Sequence, residues 1–183
     1  MGTTRFVSRE EWDALERLML PENRAAIRLA LATGLRISDA LSLKKADLKK
    51  AMDGDGHISV IEQKTGKKRR VFIGKKLQRE LNALPSNSSY VFAHRFDKQK
   101  HRTREAVYKD LCRAADALRL DGVVAPHSAR KSYTVEYMRA GHNLLEAQRL
   151  LRHSKESVTV IYAFADMITA NQKRSRKGRG HRR

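Results

Sequence analysis

A chain of 183 residues has room for one folded domain and a tail. Its 39 Lys and Arg against 20 Asp and Glu leave a formal net charge of +19, which calls for a polyanionic partner, nucleic acid before an anionic membrane surface. The lone Cys112 excludes an internal disulfide, no apolar run is long enough to cross a bilayer, and MGTTRFVSREEW lacks the basic start and apolar core of a secretory leader, so a cytoplasmic, DNA-accessible location is expected.

Ser8 with Glu11 predicts a capping box opening an amphipathic helix that runs to about Met19. NRAAIRLALAT predicts an apolar helix that Gly34 ends, and RISDALSL a third, short one. KKADLKKAMDGDG reads as a polar loop. HISVIEQ and RRVFI, on either side of KTGK, predict a two-stranded hairpin. LQRELNAL is read as a helix stopped by Pro85, SYVFA as a short strand, and TREAVYKDLCRAADALRL as a long helix with Cys112 among its core positions. After Pro126, HSARKSYTVEYMRA is expected to be helical up to about Gly141, followed by helices in NLLEAQRLL and SVTVIYAFA. The fold class expected is mainly α with a small antiparallel β-sheet. NQKRSRKGRGHRR carries neither an apolar residue nor an acid and reads as a disordered basic arm that binds phosphates.

Four stretches carry chemistry: TGLRISDALSL with Arg36, the hairpin tip QKTGKKRR with Lys64, HSARKSY with His127 and Arg130 on one face of a helix start, and LLRHSKESVTVIYAF with His153 and Tyr162. Each alone is ordinary; their order, spacing and flanks are not. Together they resemble the catalytic domain of the tyrosine recombinases, the phage integrase family. TGLRISD matches that family's T-G-x-R-x-[ST]-[ED] turn, KTGKKR its hairpin lysine, and HSAR its H-x-x-R. LRHSKESVTVIY matches its histidine nine residues before the nucleophilic tyrosine. The likeness runs from about Ser8 to Phe164.

The resemblance implies a fold, the DNA breaking-rejoining catalytic domain, and a reaction. Tyr162 attacks a DNA phosphate, leaving a 3′-phosphotyrosine and a free 5′-hydroxyl, and another strand's 5′-hydroxyl reseals the bond. No metal, ATP or other cofactor is implied. The residue types suit this chemistry. Arg36 and Arg130 are permanently charged forks that bind phosphate bidentately and offset charge on its non-bridging oxygens. A phenol with an ordinary pKa near 10 needs a base, for which His127 stands, and a cationic pocket. Lys64 supplies a proton to the departing 5′-oxygen, His153 hydrogen-bonds the phosphate, and Asp39 orients the pocket. Lys67 and Lys68 share the tip, and Lys64 is preferred because it follows the first strand. Further phosphate contacts are expected from Lys44, Lys45, Lys67, Lys68, Arg69, Arg102, Arg104 and Lys131, none of which reads sequence.

The implied partner is double-stranded DNA, with a homo-tetramer forming on paired sites in a prokaryotic or phage-infected cell. The expected domains are a catalytic domain over residues 1–170 and the basic arm over 171–183, with the family's N-terminal clamping domain missing. The sequence departs from the family in two further places. Arg152 stands where the family has glycine, and ADMITANQ is short for the helix that docks on a neighbouring subunit. Site-specific recombination (integration, excision or inversion) is the expected function. A type IB topoisomerase-like enzyme, a non-catalytic DNA-binding accessory protein and a basic RNA-binding protein are the alternatives. DGDG lacks the register of a calcium loop and reads as a turn. His94 and His101 lack a second ligand pair at zinc spacing.

Overall fold

The computed structural model describes residues 4–143 together with 146 and 147. The chain divides into two units, Met1–Tyr133 and Thr134–Arg183. The first helix, α1 (Arg9–Leu18), opens as its sequence predicts. The Ser8 hydroxyl accepts from the Glu11 backbone N–H at 3.2 Å, and the Glu11 carboxylate accepts from the Ser8 N–H at 2.8 Å. Pro21, which lacks an N–H that the first turn could not use, opens α2 (Pro21–Thr33). Gly34 ends it in the left-handed conformation, with φ +65°. The short α3 (Ile37–Leu41) follows Arg36 directly.

The stretch expected to be a polar loop is instead α4 (Lys45–Asp53). Its apolar content is small because only one narrow stripe, Leu48 and Ala51, is buried, while its lysines face water. Strands β1 (His57–Ile61) and β2 (Lys68–Phe72) pair antiparallel with Val60 opposite Arg69. They form the two-stranded sheet that the hairpin reading expects. Alternation puts Ile58 and Val60 of β1, and Arg69 and Val71 of β2, on the buried face. Ile61 and Phe72 face solvent.

Helix α5 (Lys75–Asn82) packs on α2 and α4. The strand expected in SYVFA reduces to isolated bridges, Lys44 with Tyr90 and Ala93 with His101. Serine hydroxyls there engage backbone groups that a ladder would use. Ser86 donates to the Tyr90 carbonyl at 2.7 Å, and Ser88 accepts from the Tyr90 N–H at 3.2 Å. Helix α6 (Arg104–Ala117) is capped by Thr103. Its Cys112 is half-buried rather than a full core residue, with Sγ 3.9 Å from the Val124 carbonyl oxygen.

Helix α7 (Pro126–Arg139) begins in the first unit. There the core gathers Trp12, Leu15, Ile27, Leu41, Phe92 and Leu111, all fully buried. The buried Trp12 indole donates to the Ser132 hydroxyl at 2.9 Å, and that hydroxyl donates to the Val7 carbonyl at 2.8 Å. One serine thereby satisfies both the indole and the segment that leads into α1. In the second unit α7 gives way to a turn at Gly141, φ +95°. Asn143 and Glu146 then exchange side-chain and backbone hydrogen bonds at 2.9 and 3.1 Å, and the rest of the helix expected in NLLEAQRLL, apart from Ala147, lies outside the described residues. The helix expected in SVTVIYAFA and the basic arm lie outside the described residues.

Candidate active site

The site grows from the C-terminal end of α2. The last carbonyls of a helix lack partners within it and carry the negative end of its dipole. The last turn of α2 contains no basic residue of its own. Two arginines from distant segments take that role. Arg69, on the buried face of β2, donates to the Thr33 carbonyl at 2.8 Å and reaches the Gly34 carbonyl at 3.5 Å. Arg130, in the second turn of α7, donates to the Gly34 carbonyl at 2.5 Å.

Gly34 has two physical reasons to be glycine. Its φ of +65° is costly for any other residue. A Cβ there would also lie 2.4 Å from Cδ1 of the Tyr133 ring. The chain then turns so that Arg36 stands at the start of α3, beside the other two guanidinium groups.

Three buried or half-buried cations need counter-charge. Asp39 and Glu62, both fully buried, supply it. Nη1 of Arg36 lies 3.8 Å from Asp39 Oδ2 and 3.8 Å from Glu62 Oε2, and Nη1 of Arg69 lies 3.8 Å from Glu62 Oε1. The second Asp39 oxygen accepts from the Gln63 N–H at 3.0 Å. Burial pushes the Asp39 carboxyl above the usual range, against the Gln63 N–H and Arg36. Burial, then the neighbouring Arg36 and Arg69, pull Arg130 down to about 10, which leaves it charged at neutral pH. Among the described residues Nη1 of Arg36 is buried and has no hydrogen-bond partner. Its acid neighbours, 3.8 Å away, stand beyond hydrogen-bond range and act on it as counter-charges.

Arg36 and Arg130 open onto a cleft of about 410 Å³. His127, exposed at the start of α7, lines it as well, with Ile37, Arg104, Tyr108 and Pro126. The cleft can therefore offer a bound oxyanion two guanidinium groups and an imidazole, with an apolar wall alongside.

The phage integrase family's sequence pattern matches residues 10–167. The chain belongs to that family. The tyrosine recombinase XerC of Bradyrhizobium diazoefficiens is 30% identical over 169 residues, which cover 86% of this chain and 48% of XerC. YoeC of Bacillus subtilis, classed with the integrase/recombinase proteins, is 28% identical over 168 residues, 88% of this chain and 90% of YoeC. The chain thus spans about half of XerC and most of YoeC. A solved lambda integrase dimer bound to a COC′ core site superposes with a TM-score of 0.67 at 19% identity, covering 88% of this chain and 48% of that one. The fold is that of the tyrosine recombinase catalytic domain, mainly helical with a small antiparallel sheet, as expected.

Of the residues that the family likeness singles out, Arg36, His127 and Arg130 meet at this cleft, and Asp39 lies behind Arg36. Lys64 does not directly follow β1. The strand ends at Ile61, and Lys64 stands exposed in the turn that leads to β2. His153 and Tyr162 lie outside the described residues, as does Arg152.

The surface contacts sort differently from expectation. Lys44, Lys67, Lys68 and Arg104 are exposed, and Lys45 is exposed with its ammonium on the Ser86 carbonyl. Arg69 is 5% exposed and holds the end of α2, so the expectation of an open phosphate contact is corrected. Arg102 is half-buried and donates to the Asn23 side chain, and Lys131 is half-buried with its ammonium on the Thr4 carbonyl. These two also serve the fold.

Glu62 was missed altogether. Strand alternation could have found it, since 58, 60 and 62 share a face, as do 69 and 71. Charge at a hairpin tip reads as solvent-facing and hides that pattern.

Proposed function

We propose that this member of the phage integrase family cleaves and rejoins double-stranded DNA at specific sites through a covalent protein–DNA link. The observation that carries this reading is the convergence of Arg36, Arg130 and His127 on one cleft, with buried Asp39 and Glu62 as counter-charges to Arg36.

The scissile phosphate sits against Arg36 and Arg130, whose charges offset the negative charge growing on its non-bridging oxygens. The Tyr162 hydroxyl loses its proton to His127, and its oxygen attacks phosphorus. The bond to the 5′-oxygen breaks, and Lys64 protonates that oxygen as it leaves. His153 donates to the phosphate. Reversal, with the 5′-hydroxyl of a second strand as nucleophile, reseals the DNA with no net change in the number of phosphodiester bonds. Exposed Lys44, Lys45, Lys67, Lys68 and Arg104, and the arm over residues 171–183, supply salt-dependent affinity for the backbone. Pairing of two DNA sites brings four copies of the chain together. Neither relaxation of supercoils nor a purely accessory role has an observation in its favour.

The test is covalent trapping. The full chain and its Tyr162→Phe variant are each mixed with nicked duplex fragments of the source genome and denatured in detergent. The wild type is expected to retain DNA and the variant none. A covalent adduct in Tyr162→Phe overturns the proposal.

A further inference from the structure

Glu62 is a fully buried carboxylate at the foot of the turn that carries Lys64, and it makes two sets of interactions at once. Toward the arginines, its Oε2 lies 3.8 Å from Arg36 Nη1 and its Oε1 lies 3.8 Å from Arg69 Nη1. Toward the turn, the same Oε2 accepts the Thr65 hydroxyl proton at 2.8 Å. Its main chain closes the turn on both sides. The Glu62 carbonyl accepts from the Thr65 and Gly66 N–H groups at 3.2 and 2.8 Å, and the Glu62 N–H donates to the Lys67 carbonyl at 3.0 Å. The next residue, Gln63, donates its N–H to Asp39 at 3.0 Å, and Asp39 is the other acid facing Arg36.

Lys64 thus stands between two residues tied to the arginine pocket, Gln63 through Asp39 and Thr65 through Glu62. A free lysine side chain on a solvent-exposed turn would spread over many rotamers and many backbone positions. The Glu62 main-chain bonds restrict the backbone part of that freedom, and the Thr65 hydroxyl ties the turn to the Glu62 carboxylate. The carboxylate is also a costly group to bury, and its cost is offset only while it faces both guanidinium groups and the turn donors together.

We infer that Glu62 is a positioning residue, which fixes the Lys64 turn to the Arg36–Arg69 pair through the Thr65 hydroxyl. This rests on the proposed role of Lys64 as proton donor to the leaving 5′-oxygen. The occupied arginine pocket and the proton donor are then one mechanical unit. A phosphate that draws Arg36 toward itself acts on the carboxylate that holds the lysine turn.

The experiment uses two DNA substrates, ordinary DNA and DNA with a bridging 5′-phosphorothiolate at the cleavage site. A thiolate leaves without being protonated, so this substrate bypasses the acid and nothing else. Thr65→Val keeps the shape of an exposed side chain and removes only the hydroxyl, so the fold is expected to survive. The hydroxyl donates to Glu62 at 2.8 Å and accepts from the Lys67 N–H at 3.4 Å, and losing both bonds is expected to slow cleavage of ordinary DNA about tenfold. On the phosphorothiolate Thr65→Val should match the wild type. Lys64→Ala should show a larger loss on ordinary DNA, about 100-fold, with the same rescue. Adding Thr65→Val to Lys64→Ala should cost nothing more, because two residues acting through one group are not additive. Arg36→Ala should be slow on both substrates.

Rescue of Lys64→Ala without rescue of Thr65→Val, or undiminished cleavage of ordinary DNA by Thr65→Val, overturns the positioning role and leaves the lysine's role standing. Failure to rescue Lys64→Ala overturns both.

Discussion

Arg130 donates to the carbonyl of Gly34 across 96 positions of sequence, and it does so at the point where α2 ends. The helix stop and the placing of the arginine pocket are therefore the same structural event. The residue that turns the chain also presents the oxygen that aims one arginine. It places the other, Arg36, two residues further on.

This makes Gly34→Ala a sensitive change. The left-handed backbone and the clash with the Tyr133 ring together are expected to cost about 2–4 kcal/mol. The cleavage rate should fall along with stability, since relief of the clash moves the carbonyl that Arg130 uses. Thermal unfolding and single-turnover cleavage on the same preparation check this. An unchanged melting temperature would show that the turn tolerates a Cβ.

Arg69 and Lys67 separate fold from DNA binding. Arg69→Ala removes the cation beside buried Glu62 and leaves the Thr33 carbonyl without that donor, so the loss in unfolding free energy is expected to be about 3 kcal/mol. Lys67→Ala should leave stability unchanged and lower the salt-dependence slope of DNA binding by about one counterion. Denaturant unfolding and binding at several salt concentrations measure both. A stable Arg69→Ala with a reduced salt slope would restore the surface-contact reading.

Asp110 gives a pH-dependent case. Burial pushes its carboxyl up, but the Asn23 amide, Arg113 and the Leu20 N–H together outweigh burial and hold it below its ordinary 3.8. The folded value is the lower one, so the stabilisation is fully present above pH 3.8 and is lost as pH falls through the folded value. Asp110→Ala strands the donors of Leu20 and Asn23, 2.9 and 2.8 Å from the carboxylate, and should cost about 2–3 kcal/mol at neutral pH. The gap between variant and wild type should narrow below pH 3.8. A gap that is constant from pH 7 to pH 3 would show that the carboxylate's charge contributes nothing.

Local signals were legible because their physics is local. The box of Ser8 and Glu11, the stop at Gly34 and the hairpin around KTGK each depend on a few neighbouring residues, and each stands where the sequence places it. The family likeness was legible for a similar reason, since Arg36, His127 and Arg130 each sit in a short motif. Helix α4 was not legible, because two buried residues make too thin a stripe to outweigh its lysines. SYVFA was misread because the hydroxyls of Ser86 and Ser88 compete for its backbone.

The sequence by itself determined the helical class, the hairpin, the positive charge and the motif residues around which the site is built. Only the tertiary structure decided which charges are surface and which are interior. Lys67, Lys68, Arg69 and Arg70 are indistinguishable as a run of cations, yet pairing with β1 turns Arg69 inward onto the end of α2 and leaves Lys67 in the solvent-exposed turn. Glu62 becomes a counter-ion for the same reason. The cost of burying a charge is met by partners from distant segments, and those partners exist only once the chain has folded.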